Sequence, residues 1–64
     1  MKIEIGKLYK RRDGLTACVY RFDNVGGYFY CIVIGTGEVY TVFEKGNYYQ
    51  NTVESNNDLV AEVK

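Results

Sequence analysis

Tyr28-Phe29-Tyr30-Cys31-Ile32-Val33-Ile34 is aromatic and β-branched almost throughout. Such side chains suit a pleated, half-buried surface, so the stretch predicts a strand. Upstream, Asp23-Asn24-Val25-Gly26-Gly27 predicts a loop, because these residues tolerate positive φ. Leu15–Phe22 predicts the strand before it, and Arg12-Asp13-Gly14 a hairpin turn that leads back to a strand over Lys7–Arg11. Downstream, Gly35-Thr36-Gly37 turns the chain into Glu38–Phe43, and Lys45-Gly46 turns it into Tyr48–Thr52.

The two ends are less regular. Met1-Lys2-Ile3-Glu4-Ile5 alternates charged and apolar residues and reads as an N-terminal strand. Ser55-Asn56-Asn57-Asp58 is a polar turn whose Ser-x-x-Asp spacing suits the cap of a short helical turn. Leu59–Val63 then predicts a closing strand, with one turn of helix as the alternative. There is no proline, linker or low-complexity segment, so residues 1–64 form one domain. The expected fold class is all-β: a small, strongly bent antiparallel sheet, or an SH3-like or OB-like barrel of about five strands, which hides its edges.

Simple hairpin symmetry sets an expected register. A hairpin centred on Asn24 and Val25 places Cys18 opposite Cys31 and Tyr20 opposite Phe29. One centred on Thr36 places Cys31 opposite Thr41, Tyr30 opposite Val42, and Phe29 opposite Phe43. Alternation then gives two faces. Cys18, Tyr20, Phe22, Phe29, Cys31, Val33, Val39, Thr41 and Phe43 share one, which the phenylalanines and cysteines assign to the core. Ala17, Val19, Arg21, Tyr28, Tyr30, Ile32, Ile34, Tyr40 and Val42 share the other. Both faces are apolar, and only the tail and Met1–Ile5 remain to cover the second. Either Tyr28, Tyr30 and Tyr40 line a self-association or ligand surface, or curvature wraps both faces into one small core.

Composition narrows the function. The chain has seven tyrosines and no histidine or tryptophan. A tyrosine ring offers a flat apolar face and a hydroxyl that needs a partner, which favours a contact surface over a sealed core. The formal net charge is zero, but residues 1–21 carry +4 and residues 22–64 carry −4. Balanced charge argues against a general duplex-DNA binder, while a local basic patch for a phosphate stays open beside an ordinary solvated basic edge. No run reaches the length of a membrane span or resembles a signal-peptide core, so the expected location is the cytoplasm.

Catalytic constellations are weak. Without histidine the usual group titrating near neutrality is absent. Cys18 and Cys31 sit mid-strand in apolar surroundings, which raise a thiol pKa and leave it inert. A Cys18–Cys31 cross-strand disulfide is conceivable but disfavoured in a reducing cytosol. Two cysteines without CxxC spacing make no metal site, and no cofactor-binding motif is present. The expectation is a protein that is not an enzyme and uses neither cofactor nor metal. The most suggestive grouping is Arg11, Arg12 and Arg21, which suit phosphate oxygens, beside Tyr28, Tyr30 and Tyr40, which suit base stacking or an interface, with Tyr20 a further stacking candidate. Ordinary cross-strand packing under a charged rim is the competing account of the same residues.

Three stretches carry a family resemblance: Gly6-Lys7-Leu8-Tyr9-Lys10-Arg11-Arg12-Asp13-Gly14, Phe43-Glu44-Lys45-Gly46-Asn47-Tyr48, and Ser55-Asn56-Asn57-Asp58-Leu59-Val60. Together they resemble a type of very small β protein encoded by bacteriophages, and the ends match better than the middle. Where that pattern often has a tryptophan in a later strand, this chain has Phe43 nearby. The resemblance implies host-takeover or counter-defence by binding, in the host cytoplasm, and transfers no functional residue. The leading expectation is stoichiometric capture of a phosphorylated nucleotide signal of host defence by a homo-oligomer. The alternatives are an inhibitor that binds a host protein through the tyrosine-rich face, and a single-stranded nucleic-acid module.

Overall fold

The computed structural model describes residues 2–50 and 53–64. It contains five strands: β1 (Leu8–Arg11), β2 (Thr16–Asp23), β3 (Tyr28–Val33), β4 (Val39–Phe43) and β5 (Leu59–Glu62). All pairings are antiparallel, in the order β4-β3-β2-β1-β5, and no helix occurs among the described residues. The first four strands form a meander, and the fifth returns beside the first. The all-β expectation holds, and Leu59–Glu62 is a strand rather than a helical turn.

Local chemistry explains the turns. Gly14 takes φ 93° and donates its N–H to the Arg11 carbonyl at 3.1 Å, closing the first hairpin. In the second, the Asp23 carboxylate accepts the N–H groups of Val25 and Gly26 at 3.0 and 3.1 Å, an Asx turn. The sheet then curls until the Leu59 N–H reaches the Gly46 carbonyl at 2.8 Å, joining the ends of the half-barrel. The Cα radius of gyration, 10.4 Å, is close to the ~10.7 Å expected of a globular chain this long, so the sheet wraps its own core.

Two expected strands do not form among the described residues. Residues 2–5 form none; instead Ile3 plugs into the core. The Tyr9 hydroxyl donates to the Lys2 carbonyl at 3.2 Å and accepts the Glu4 N–H at 2.8 Å, which ties this segment across the concave side. Of the expected Tyr48–Thr52 strand, residues 48–50 are bends, and Asn51 and Thr52 lie outside the described residues. The Phe43 N–H closes a turn onto the Asn47 carbonyl at 2.8 Å, and the Tyr48 N–H is then taken by Asp58 rather than by a ladder.

The register also differs from hairpin symmetry. Cys18 pairs with Ile32 and Val19 with Cys31; beyond a bulge, Arg21 pairs with Tyr30 and Phe22 with Phe29. Across β3–β4, Cys31 pairs with Tyr40, Tyr30 with Thr41, Phe29 with Val42 and Tyr28 with Phe43. The third turn is even-numbered, running between Val33 and Glu38, so no residue sits at its centre. A one-residue slip reverses faces. The concave core face therefore holds Ala17, Val19, Tyr40 and Val42, which were expected on the other face. Cys18, Tyr20, Val39, Thr41 and Phe43 face outward instead of inward. Phe22, Phe29, Cys31 and Val33 lie inward as expected, and Arg21, Tyr28, Tyr30 and Ile32 outward as expected.

The core cluster is Ile3, Tyr9, Ala17, Val19, Cys31, Val42 and Leu59, with Phe29 and Tyr40 packed at its edge. Its largest member, Tyr9, is fully buried, contrary to the expectation that tyrosines avoid a sealed core. Its hydroxyl has both a donor and an acceptor in residues 2–4, which removes the desolvation penalty. Ile3 and Leu59 both serve the concave side, so these two side chains complete the inner face rather than the outer one.

Candidate binding surface

The curvature divides the six residues singled out for binding into three groups. Arg11 and Tyr40 lie inside, Arg21, Tyr28 and Tyr30 lie outside, and Arg12 stands at the first turn. No single site holds all six.

Arg11 is 7% exposed and already paired. Its Nε and terminal nitrogen donate to the two Asp13 oxygens at 3.1 and 2.5 Å, a bidentate fork. The guanidinium lies 5.4 Å from the centre of the Tyr40 ring, and the Tyr40 hydroxyl donates to the Asn57 carbonyl at 2.8 Å. Desolvation acts to raise the Asp13 pKa, but the Arg11 hydrogen bond and the Leu15 N–H outweigh it and hold the carboxyl below its usual range. Burial, and then the nearby Cys31 thiol, pushes the Tyr40 hydroxyl up, so it stays a neutral donor.

Arg12 is also engaged, at 3.3 Å from Asp58 and 4.0 Å from Glu54. Asp58 is 5% exposed and knots three segments together. One oxygen accepts the Tyr48 N–H at 2.8 Å, the other the Ser55 N–H at 3.0 Å, while its carbonyl accepts the Arg12 N–H at 2.9 Å. Burial acts to raise its pKa, but the Tyr48 and Ser55 amides and Arg12 prevail and hold it low. The expected Ser-x-x-Asp cap thus forms around a turn, not a helix.

The outer face is built differently. At the β2 bulge, Tyr20 and Arg21 together oppose Tyr30, so both side chains leave on the same side. The Tyr20 and Tyr30 ring centres are 6.3 Å apart, and the Arg21 guanidinium lies 5.1 Å from the Tyr30 centre. Tyr30 meets Tyr28 edge-on at 5.5 Å, and Tyr28 meets Phe43 edge-on at 6.5 Å. Four rings thus run continuously across β2, β3 and β4. A Cβ on Gly26 would fall 2.0 Å from a Tyr28 ring carbon, so glycine there makes room for that ring. The Tyr28 hydroxyl is pushed up to about 12 by its interaction with Tyr30 and then with Asp23. Asp23 is held low by the Gly26 and Val25 amides. Among the described residues Arg21 has no carboxylate within ion-pair distance.

A hollow of about 590 Å³ is lined by Lys2, Ile3, Phe22, Phe29, Glu44 and Lys45, with the two phenylalanine rings 4.6 Å apart. Sequence reasoning named Tyr20 as a stacking candidate but missed Phe43 and Asp58 as site or support residues. For Phe43 the cause is the face reversal, which also moves Tyr20 from the expected core face to the outer one. For Asp58 the only signal was the Ser-x-x-Asp spacing, which says nothing of Tyr48 or Arg12.

Cys18 and Cys31 leave β2 and β3 on opposite faces and both are free thiols, so the expected Cys18–Cys31 contact does not form. No group of histidine, cysteine and carboxylate side chains suited to a metal ion occurs among the described residues. Among the described residues no helix is long and apolar enough to cross a membrane. No protein-family model, curated protein or solved structure matches this chain.

Proposed function

We propose that this protein acts without catalysis, as a stoichiometric binding module, and that its working surface is the outer face around the Tyr20–Arg21 bulge. The observation that carries this reading is the bulge itself. It sets a tyrosine and an arginine, the latter with no carboxylate within ion-pair distance among the described residues, side by side over Tyr30, in line with Tyr28 and Phe43. Tyrosine and arginine are the residue types that dominate interface hot spots. The face is the outside of a curled sheet, whereas small-molecule sites are concave. A protein partner therefore fits it best, and the phage resemblance supplies the setting of a host protein in the host cytoplasm. In a pull-down from host lysate, wild type should retain one stoichiometric partner that a Tyr20→Ser/Arg21→Ser variant loses at unchanged melting temperature. Equal retention by both would move the working surface elsewhere.

A second reading rests on Arg21 specifically. A phosphorylated nucleotide signal, or one unit of a single strand, would place its phosphate on Arg21 and stack its base on Tyr20 or Tyr28. Arg11 and Arg12 would join only by releasing Asp13 and Asp58, so this capture uses one arginine rather than three. Thermal shift against cyclic di- and trinucleotides separates the readings: a rise abolished by Arg21→Ala supports nucleotide capture. Binding to oligonucleotides with a steep salt slope would point to the single strand.

A further inference from the structure

The two edges of the sheet are finished differently. β5 is four residues long, its register with β1 shifts at Lys10/Arg11, and its Glu62 meets Lys7 at 3.7 Å. Its first amide is tied to Gly46. Shortness, a bulge and charge are devices that keep an edge from pairing with another chain. β4 has none of them: Val39-Tyr40-Thr41-Val42-Phe43 carries no charge and no proline, and its register with β3 is unbroken.

Antiparallel alternation fixes which β4 backbone groups face away from the sheet. The Val33 N–H bonds to the Glu38 carbonyl at 2.8 Å, so these residues form a hydrogen-bonded pair. The next hydrogen-bonded pairs are then Cys31 with Tyr40 and Phe29 with Val42. The N–H and C=O groups of Val39, Thr41 and Phe43 point off the edge. Those of Phe43 are consumed in the following turn, by the Asn47 carbonyl and the Gly46 N–H, both at 2.8 Å. Those of Val39 and Thr41 meet no protein group among the described residues, and Val39 is 51% exposed.

We propose that this edge pairs with a second copy of the chain, β4 antiparallel to β4, with Val39 opposite Thr41 of the second copy and Tyr40 at the two-fold axis. The register follows from the free groups. Val39 and Thr41 of each copy exchange both bonds with Thr41 and Val39 of the other, so every free edge group in the strand is used. Centring the pair on Thr41 would instead set Val39 against Phe43, whose groups are already committed. In the Tyr40-centred register Glu38 falls opposite Val42 and Glu44 opposite Thr36, so no like charges meet. A foreign peptide has no such built-in match, whereas a self-complementary strand forms a closed, isologous contact. Val39 and Thr41 belong to the outer face, so the junction would extend that face from one copy to the next. This inference does not depend on what the outer face binds.

Sedimentation and amide exchange on the full chain, from dilute to millimolar concentration, test it. The mass should rise from 7.4 kDa to twice that value. Protection of the Val39 and Thr41 amides should appear in step, while Tyr40 and Val42 are protected throughout. Val39→Lys should leave the melting temperature unchanged and hold the chain at monomer mass. Thr41→Pro should do the same, since that N–H makes no internal bond and proline is tolerated on an edge. A monomer at every concentration overturns the proposal. So does a dimer whose Val39 and Thr41 amides still exchange freely, or one that Val39→Lys leaves intact.

Discussion

Asp58 shows how much one side chain can hold in a chain this short. It gathers two amides and an arginine from separate segments, and its removal would strand the Tyr48 and Ser55 N–H groups in a site that is 5% exposed. Asp58→Ala should cost about 2–3 kcal/mol, read as a lower urea midpoint. The same carboxylate predicts acid lability. Its folded pKa lies below the ordinary 3.8, as do those of Asp13 and Asp23. Their contribution is therefore complete above the unfolded value and fades as pH falls through the lower folded values. Melting temperature should be flat above about pH 5 and drop steeply below about pH 4, and Asp58→Asn should blunt that drop.

At the scale of elements, the central strands were legible and their register was not. Runs of aromatic and β-branched residues between glycines and Asx residues marked β2, β3 and β4 clearly, because that chemistry is local. The face each residue takes depends on counting, and the count is changed by a bulge inside β2 that no glycine or proline announces. Three phenylalanines suggested a core of large rings. The small barrel instead closes over Ala17, Val19 and Val42, leaving Phe43 on the outer face. Arg11 and Tyr40 turn inward, and Asp13, two residues along the chain, holds the Arg11 guanidinium. The bulge is also removable. Deleting Tyr20 restores unbroken pairing without moving any other residue to the opposite face, since Arg21 would still face Tyr30 and Phe22 would still face Phe29. The deletion should keep the fold, alter the unfolding midpoint by less than about 1 kcal/mol, and abolish binding at the outer face.

At the scale of the molecule, the core is thin and the fold marginal. A single core this small rarely supplies more than ~3–5 kcal/mol. Val42→Ala removes two buried methyl groups at a fully enclosed position and should cost about 2 kcal/mol, seen as a matching fall in the denaturant midpoint. An outer aromatic face is affordable in such a molecule only because the concave side recruits Ile3 and Leu59 to finish the core.

The placement of the thiols has a practical side. Cys31 is sealed inside, with burial pushing it up to about 11, while Cys18 leaves β2 on the outer side, two positions before Tyr20. An alkylating fluorophore should therefore react at Cys18 alone in the folded protein, and at both cysteines in denaturant. The unaltered sequence thus carries its own reporter position, where a change in emission would signal arrival of whatever lands beside the tyrosines.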